Sequence, residues 1–174
     1  FSGDSDTEVL VNSLDHWGVE ATLNQCVGMF AFAACHQPSA TLYLARDRFG
    51  EKPLYYGHQN GVFAFASELK SLSLLSDVGW DFLIDRRVLA TYMRFGYVPS
   101  PYSIYQDIFK LNPGTYLTFA KGKPTLTTYW DVSSAANQPA FSGSYSQAVD
   151  QLEALLLDSV QLQMAADVPL GAFL

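Results

Sequence analysis

The chain has 174 residues, 49% of them hydrophobic, and a formal net charge of −7 from 17 acidic and 10 basic side chains. That length and apolar content suit a compact core rather than a disordered polypeptide. The acidic balance speaks against an electrostatic grip on nucleic acid or an anionic membrane, and the longest apolar run, Val27 to Cys35, falls far short of the roughly 20 residues of a membrane-spanning helix. The first residue is Phe1, with neither a basic start nor a small-residue cleavage site behind it, so the expectation is a chain that begins inside a longer protein.

Ser5-Asp6-Thr7-Glu8 has the Ser-x-x-Glu pattern of a capping box, and Val9, Leu10, Leu14 and Trp17 follow at helical spacing. A helix from about Asp6 to His16 is expected. Asp4, Asp6 and Glu8 alternate like the start of a calcium loop, but the glycine and bidentate glutamate such a loop needs do not follow. They read as acidic residues at a helix start.

Residues 28–33 and 41–46 read as two strands around the turn Gln37-Pro38-Ser39. Residues 53–56 and 62–65 read as a second pair around His58-Gln59-Asn60-Gly61, whose Asn-Gly step favours a tight turn. The expectation is a four-stranded antiparallel meander from Val27 to Phe65. Ser67 is placed to cap a short helix carrying Leu69, Leu72 and Leu75, and Asp85 to cap another with Val88, Leu89, Tyr92 and Met93. Residues 116–119 and 125–128 flank Lys121-Gly122-Lys123-Pro124 as a third hairpin.

The stretch 133–144, rich in Ser, Ala, Gly, Asn and Pro, has no periodicity and reads as a linker. Beyond it, Val149, Leu152, Leu155, Leu156, Val160 and Met164 recur at helical spacing from about Ser146 to Ala165. The last seven residues, Val168 to Leu174, read as the start of a buried strand. One helix and one strand cannot bury a core alone, which implies that a second domain starts here.

Cys26 and Cys35 read as reduced core thiols rather than a disulfide, and the scattered His16, His36 and His58 give no zinc spacing. No metal is predicted in this segment. Arg46 and Asp47, between a strand and a turn, are expected to pin the hairpin rather than to act as a catalytic pair, and Glu51 and Lys52 with them.

Four stretches, Ser5 to Leu10, Gly28 to Phe32, Ala45 to Tyr56 and Phe65 to Leu72, resemble in order and spacing the class II glutamine amidotransferase domain of glutamine-hydrolysing asparagine synthetases. Leu111-Asn112-Pro113-Gly114 is similar to that family's Leu-Pro-Pro-Gly turn, with Asn112 in place of a proline, and Tyr129-Trp130 closes the domain. The tail Asp167 to Leu174 resembles the strand that in this family runs into a pyrophosphate loop.

The resemblance implies an α+β chain: an N-terminal-nucleophile hydrolase-like αββα sandwich, incomplete, then the first helix and strand of an α/β ATP-pyrophosphatase domain. The implied domains are 1–132, a linker at 133–144, and a truncated synthetase domain from 145 to 174. The nucleophile of the family is a cysteine at the mature N-terminus, whose free amine can act as base for its own thiol. Cys26 and Cys35 are internal, so the resemblance assigns no catalytic residue here, and the chain by itself should not hydrolyse glutamine.

By the same resemblance, Asp6, whose plainer role is to complement the helix dipole, receives the α-ammonium of glutamine; Met29, by itself a core-packing residue, falls where an ammonia tunnel is lined; and the backbone of Leu174 meets the adenine ring. In the intact enzyme the partners would be glutamine, aspartate and ATP, with ATP and magnesium bound mainly beyond Leu174 and no cofactor held by the segment alone. A cytoplasmic protein is implied, with a homodimer compatible and neither nucleic acid nor membrane as partner. Two rivals stand beside this reading: a non-catalytic, protein-binding module descended from an amidotransferase, and a related amidotransferase acting on another carboxylate.

Overall fold

The computed structural model describes residues 3, 5–164 and 168–172, and the chain divides into two compact units, 1–131 and 132–174. The first unit opens with helix α1, Asp6–Trp17. Ser5 caps it by accepting a hydrogen bond from the Thr7 amide at 3.2 Å. Glu8 does not close the box on Ser5; its carboxylate accepts from the Gly3 amide at 2.8 Å. Gly18, at φ 77°, ends α1 and begins α2, Val19–Gln25, a helix without a side-chain cap that the sequence patterns did not suggest.

Strands β1, Ala31–His36, and β2, Thr41–Arg46, are joined by a tight turn at Gln37–Ser39. β3, Tyr55–Gln59, and β4, Val62–Ala66, meet across Asn60 and Gly61, both at positive φ, the geometry an Asn-Gly hairpin turn requires. Helix α3, Leu69–Leu72, follows, its N-cap falling on Glu68 without a side-chain bond rather than on Ser67. Helix α4, Arg86–Phe95, starts at Asp85, whose carboxylate accepts from the Arg87 amide at 2.9 Å. Three further strands complete the unit: β5, Ile108–Lys110; β6, Thr115–Ala120; and β7, Lys123–Thr128.

The expected meander is not formed. The strands make two antiparallel sheets, in order β1-β2-β6-β7 and β4-β3-β5. β2 pairs with β6, in the register Leu44↔Leu117, so the first two hairpins belong to different sheets. The physical reason lies in residues 47–54, which form a compact loop around the Asp47 carboxylate and carry the chain out of one sheet into the other.

Alternation along each strand then divides the side chains between two apolar clusters. Leu44 and Leu117 of one sheet meet Leu54, Tyr56 and Leu111, with Phe63, Phe109 and Phe119 packed around them. Ile108, with Tyr55 beside it, instead joins Leu72 and Trp80 in a second cluster beneath α3. Gly57 lets the backbone pass close to this cluster: a Cβ there would stand 2.8 Å from the Trp80 ring and 2.9 Å from the Asp107 carbonyl.

In the second unit, the stretch expected to be an irregular linker contains a short helix, α5, Val132–Ala136. Helix α6, Tyr145–Gln163, has a complete capping box, the Ser144 hydroxyl accepting from the Gln147 amide while the Gln147 side chain accepts from the Ser144 amide at 2.8 Å. None of its residues is buried. Residues 168–172 are not in a strand, contrary to expectation, while the Ala165 end of the predicted helix and the proposed nucleotide contact Leu174 lie outside the described residues.

Candidate functional site

Asp6, in the first turn of α1, and Met29, in the segment ahead of β1, line one cleft of about 940 Å³. The two positions singled out for different roles, 23 residues apart in the chain, therefore share a cavity. α1 supplies an apolar wall through Val9, Leu10 and Trp17, α2 contributes Thr22 and Gln25, and Lys52, Pro53 and Ser67 are also in the lining. Asp6 stands at the helix N-terminus, where the macrodipole favours a carboxylate, and its charge is exposed for a cation.

The loop that carries Lys52 is held from within. Arg46 is 8% exposed and donates through Nε to the Lys52 carbonyl at 2.8 Å and through its terminal nitrogens to the carbonyls of Leu111, at 2.6 Å, and Gly50. Asp47 is 1% exposed and accepts from the amides of Phe49, Glu51 and Lys52 at 3.0–3.1 Å. Burial alone would push the Asp47 carboxyl up, but the amides of residues 49–52 together outweigh it and hold the group below the usual carboxylate range. Burial also lowers Arg46, against the opposing pull of Asp47. Both side chains bond backbone groups, so they hold the loop that joins the two sheets, where a hairpin was expected, and are not disposed for proton transfer.

Neighbouring groups lock the same loop to the cleft floor. Arg48 donates to the carbonyls of Cys26 and Asn24 at the end of α2, and the Asp47 amide donates to the Phe30 carbonyl at 3.0 Å. The Tyr129 hydroxyl donates to the Arg46 carbonyl at 2.9 Å, and burial raises its pKa to about 12, so it keeps its proton. Gly114 donates to the Asp47 carbonyl at 2.8 Å with φ 59°, and a Cβ there would stand 2.1 Å from the Trp130 carbonyl oxygen.

Cys26 lines the cleft, but burial pushes its thiol up more than nearby Arg48 pulls it down, so it is no activated thiolate. Cys35 is exposed on β1 and free. Among the described residues no three His, Cys, Asp or Glu side chains gather in a way that could hold a metal ion. Thr22 and Gln25 were missed by sequence reasoning, and Lys52 was expected only to pin a hairpin. The first two ride on α2, which had no capping signature to reveal it, and Thr22 Oγ1 is buried without a hydrogen-bond partner.

The sequence profile of the family described as glutamine amidotransferase domain matches residues 1–130. The chain belongs to this family. As an amidotransferase domain it has relatives that align over its full length. It is 38% identical to asparagine synthetase [glutamine-hydrolyzing] 1 of Bacillus subtilis, covering 26% of that protein. It is 37% identical to a putative asparagine synthetase [glutamine-hydrolyzing] of Mycobacterium tuberculosis, covering 27%. Over 98% of its length it is 31% identical to a putative asparagine synthetase of Methanocaldococcus jannaschii, covering 32%. The chain thus spans about a quarter to a third of these relatives.

Among solved structures, glutamine phosphoribosylpyrophosphate amidotransferase from B. subtilis, complexed with ADP and GMP, superposes on 75% of the chain with a TM-score of 0.50. At 20% identity over 24% of that protein, the likeness shows the fold, an α+β arrangement with antiparallel sheets. Among the described residues no helix is long and apolar enough to cross a membrane.

Proposed function

We propose that this chain is the glutamine-using part of an asparagine synthetase, with glutamine bound in the cleft beside α1 and its α-ammonium paired with Asp6. The observation that carries the reading is the placement of Asp6 and Met29 on one cleft in an amidotransferase domain. The apolar wall of Val9, Leu10 and Trp17 supports it by lowering the local dielectric around a charge pair. Met29, a polarisable apolar side chain at the same cleft, suits a path for uncharged ammonia. In the longer enzyme that ammonia would amidate aspartate activated by ATP and magnesium, and residues from about 145 onward would begin the domain that holds the nucleotide, with Leu174 at the adenine.

The 174 residues by themselves are proposed to be inactive, since Cys26 and Cys35 are both internal to the chain and burial raises the Cys26 thiol. The test is Asp6→Asn in the full-length enzyme. A neutral amide keeps the helix start but loses a charge-assisted contact worth about 1.5–3 kcal/mol, about a tenfold to hundredfold fall in glutamine-dependent kcat/KM. Synthesis from free ammonia should be unchanged. Loss of both activities together would make Asp6 a stability residue, and loss of neither would remove glutamine from this position.

A further inference from the structure

The loop held by Arg46 borders a second cavity, of about 280 Å³, whose lining includes Arg46, Tyr55, Tyr97, Ser100 and Lys110. Pro53 lines both this cavity and the cleft. Although the chain as a whole is acidic, the cavity is lined by two cations and by no carboxylate. A guanidinium has five N–H donors, and Arg46 commits three of them to carbonyls. An ammonium has three, and Lys110 commits one to the carbonyl of Val98. The neighbouring Asp47 is in no ion pair with either: its oxygens accept from backbone amides, although its charge partly offsets that of Arg46.

Neither cation is in an ion pair among the described residues, where Lys70 with Glu68 and Arg87 with Asp85 are the pairs formed. The two oppose each other instead: burial first, and then the charge of Arg46, lower the pKa of Lys110. Two cations lining one cavity, with two N–H donors of Arg46 and two of Lys110 uncommitted and three hydroxyl-bearing residues in the same lining, are an arrangement completed by an anion. Phe49, Pro99 and Pro113 in the wall reduce the screening such an anion would feel.

We propose that this cavity binds a small oxyanion, the carboxylate or phosphate group of a free ligand, between Lys110 and Arg46, with the hydroxyls of Tyr55, Tyr97 and Ser100 as neutral donors. Its volume lies just below the roughly 300–1,000 Å³ of drug-sized pockets, which suits a ligand of few heavy atoms rather than a nucleotide. The site is separate from the glutamine reading and is tested by binding rather than turnover.

The experiment is titration of the 174-residue chain, at low salt, with inorganic phosphate and separately with glutarate, followed by amide NMR. Saturable shifts are expected at Tyr97, Val98, Ser100 and Lys110, and the tighter of the two probes identifies the oxyanion. Lys110→Gln, which keeps a donor for the Val98 carbonyl, should weaken binding about tenfold or more, as expected for one charged hydrogen bond. Lys110→Arg should retain most of the affinity. Tyr97→Phe, at an exposed ring that leaves the core untouched, should cost a few-fold. Shifts scattered over exposed lysines, absence of saturation with millimolar anion, or equal affinity in Lys110→Gln and the parent would each overturn the proposal.

Discussion

The β-sandwich and helix α6 use the same apolar residues to opposite ends. Leu44 and Leu117 are 0% exposed between the sheets, whereas Leu152, Leu155 and Leu156 of α6 are each more than half exposed. Leucine content therefore says little about burial; an apolar side chain becomes core only when a second layer covers it. What sustains α6 locally is its 19-residue length and the Ser144–Gln147 box, the features that lower the cost of a helix without packing.

The largest effect that would test this contrast is Leu117→Ala. Leu117 contacts both sheets' side chains in the inner cluster, and its truncation should cost about 2–5 kcal/mol. A fall in the urea midpoint, followed by tryptophan fluorescence, measures it; an unchanged midpoint would mean that the inner cluster is not the core.

Asp47→Asn sharpens the comparison by testing the loop between the sheets. One of two accepting oxygens becomes an NH2 group, leaving buried amides short of a partner at a cost of about 1–3 kcal/mol. The folded-state pKa of Asp47 is depressed, so its stabilisation is complete above the unfolded carboxyl value, about 3.9, and is lost as pH falls through the lower folded value. Stability measured against pH should show a shallower acid limb in the variant than in the parent.

The smallest effect is expected from Leu156→Ala, at a residue 57% exposed, where the cost should stay within about 0.5 kcal/mol. The same urea series gives the value. A loss comparable with that at Leu117 would show α6 to be packed, and would break the contrast between the two units.

Local elements were legible where a side chain announces them. Ser5 and Asp85 cap helices that begin where the sequence places them, and the Asn60-Gly61 and Lys121-Gly122 turns close hairpins at their expected sites. Reading failed where backbone geometry or distant pairing decides. α2 begins at a glycine that offers no side-chain signal, β5 is three residues long, and the partner of β2 lies on β6 rather than next in sequence. The same division holds in the cleft: Asp6, Met29 and Lys52 all sit in recognisable motifs, whereas Thr22 and Gln25 reach it on α2, which no side-chain signal announces.

The pairing of β2 with β6 also sets a timetable on the ribosome. Leu44 and Leu117 are partners 73 residues apart, so at about 5–20 residues per second the synthesis of one precedes the other by roughly 4–15 s. Throughout that interval the β1–β2 hairpin can form, yet the outer edge of β2, with Leu42 and Leu44, has no neighbour on the nascent polypeptide. The first sheet is completed only after β6 has emerged, and the strand left waiting until then is one of its two inner strands.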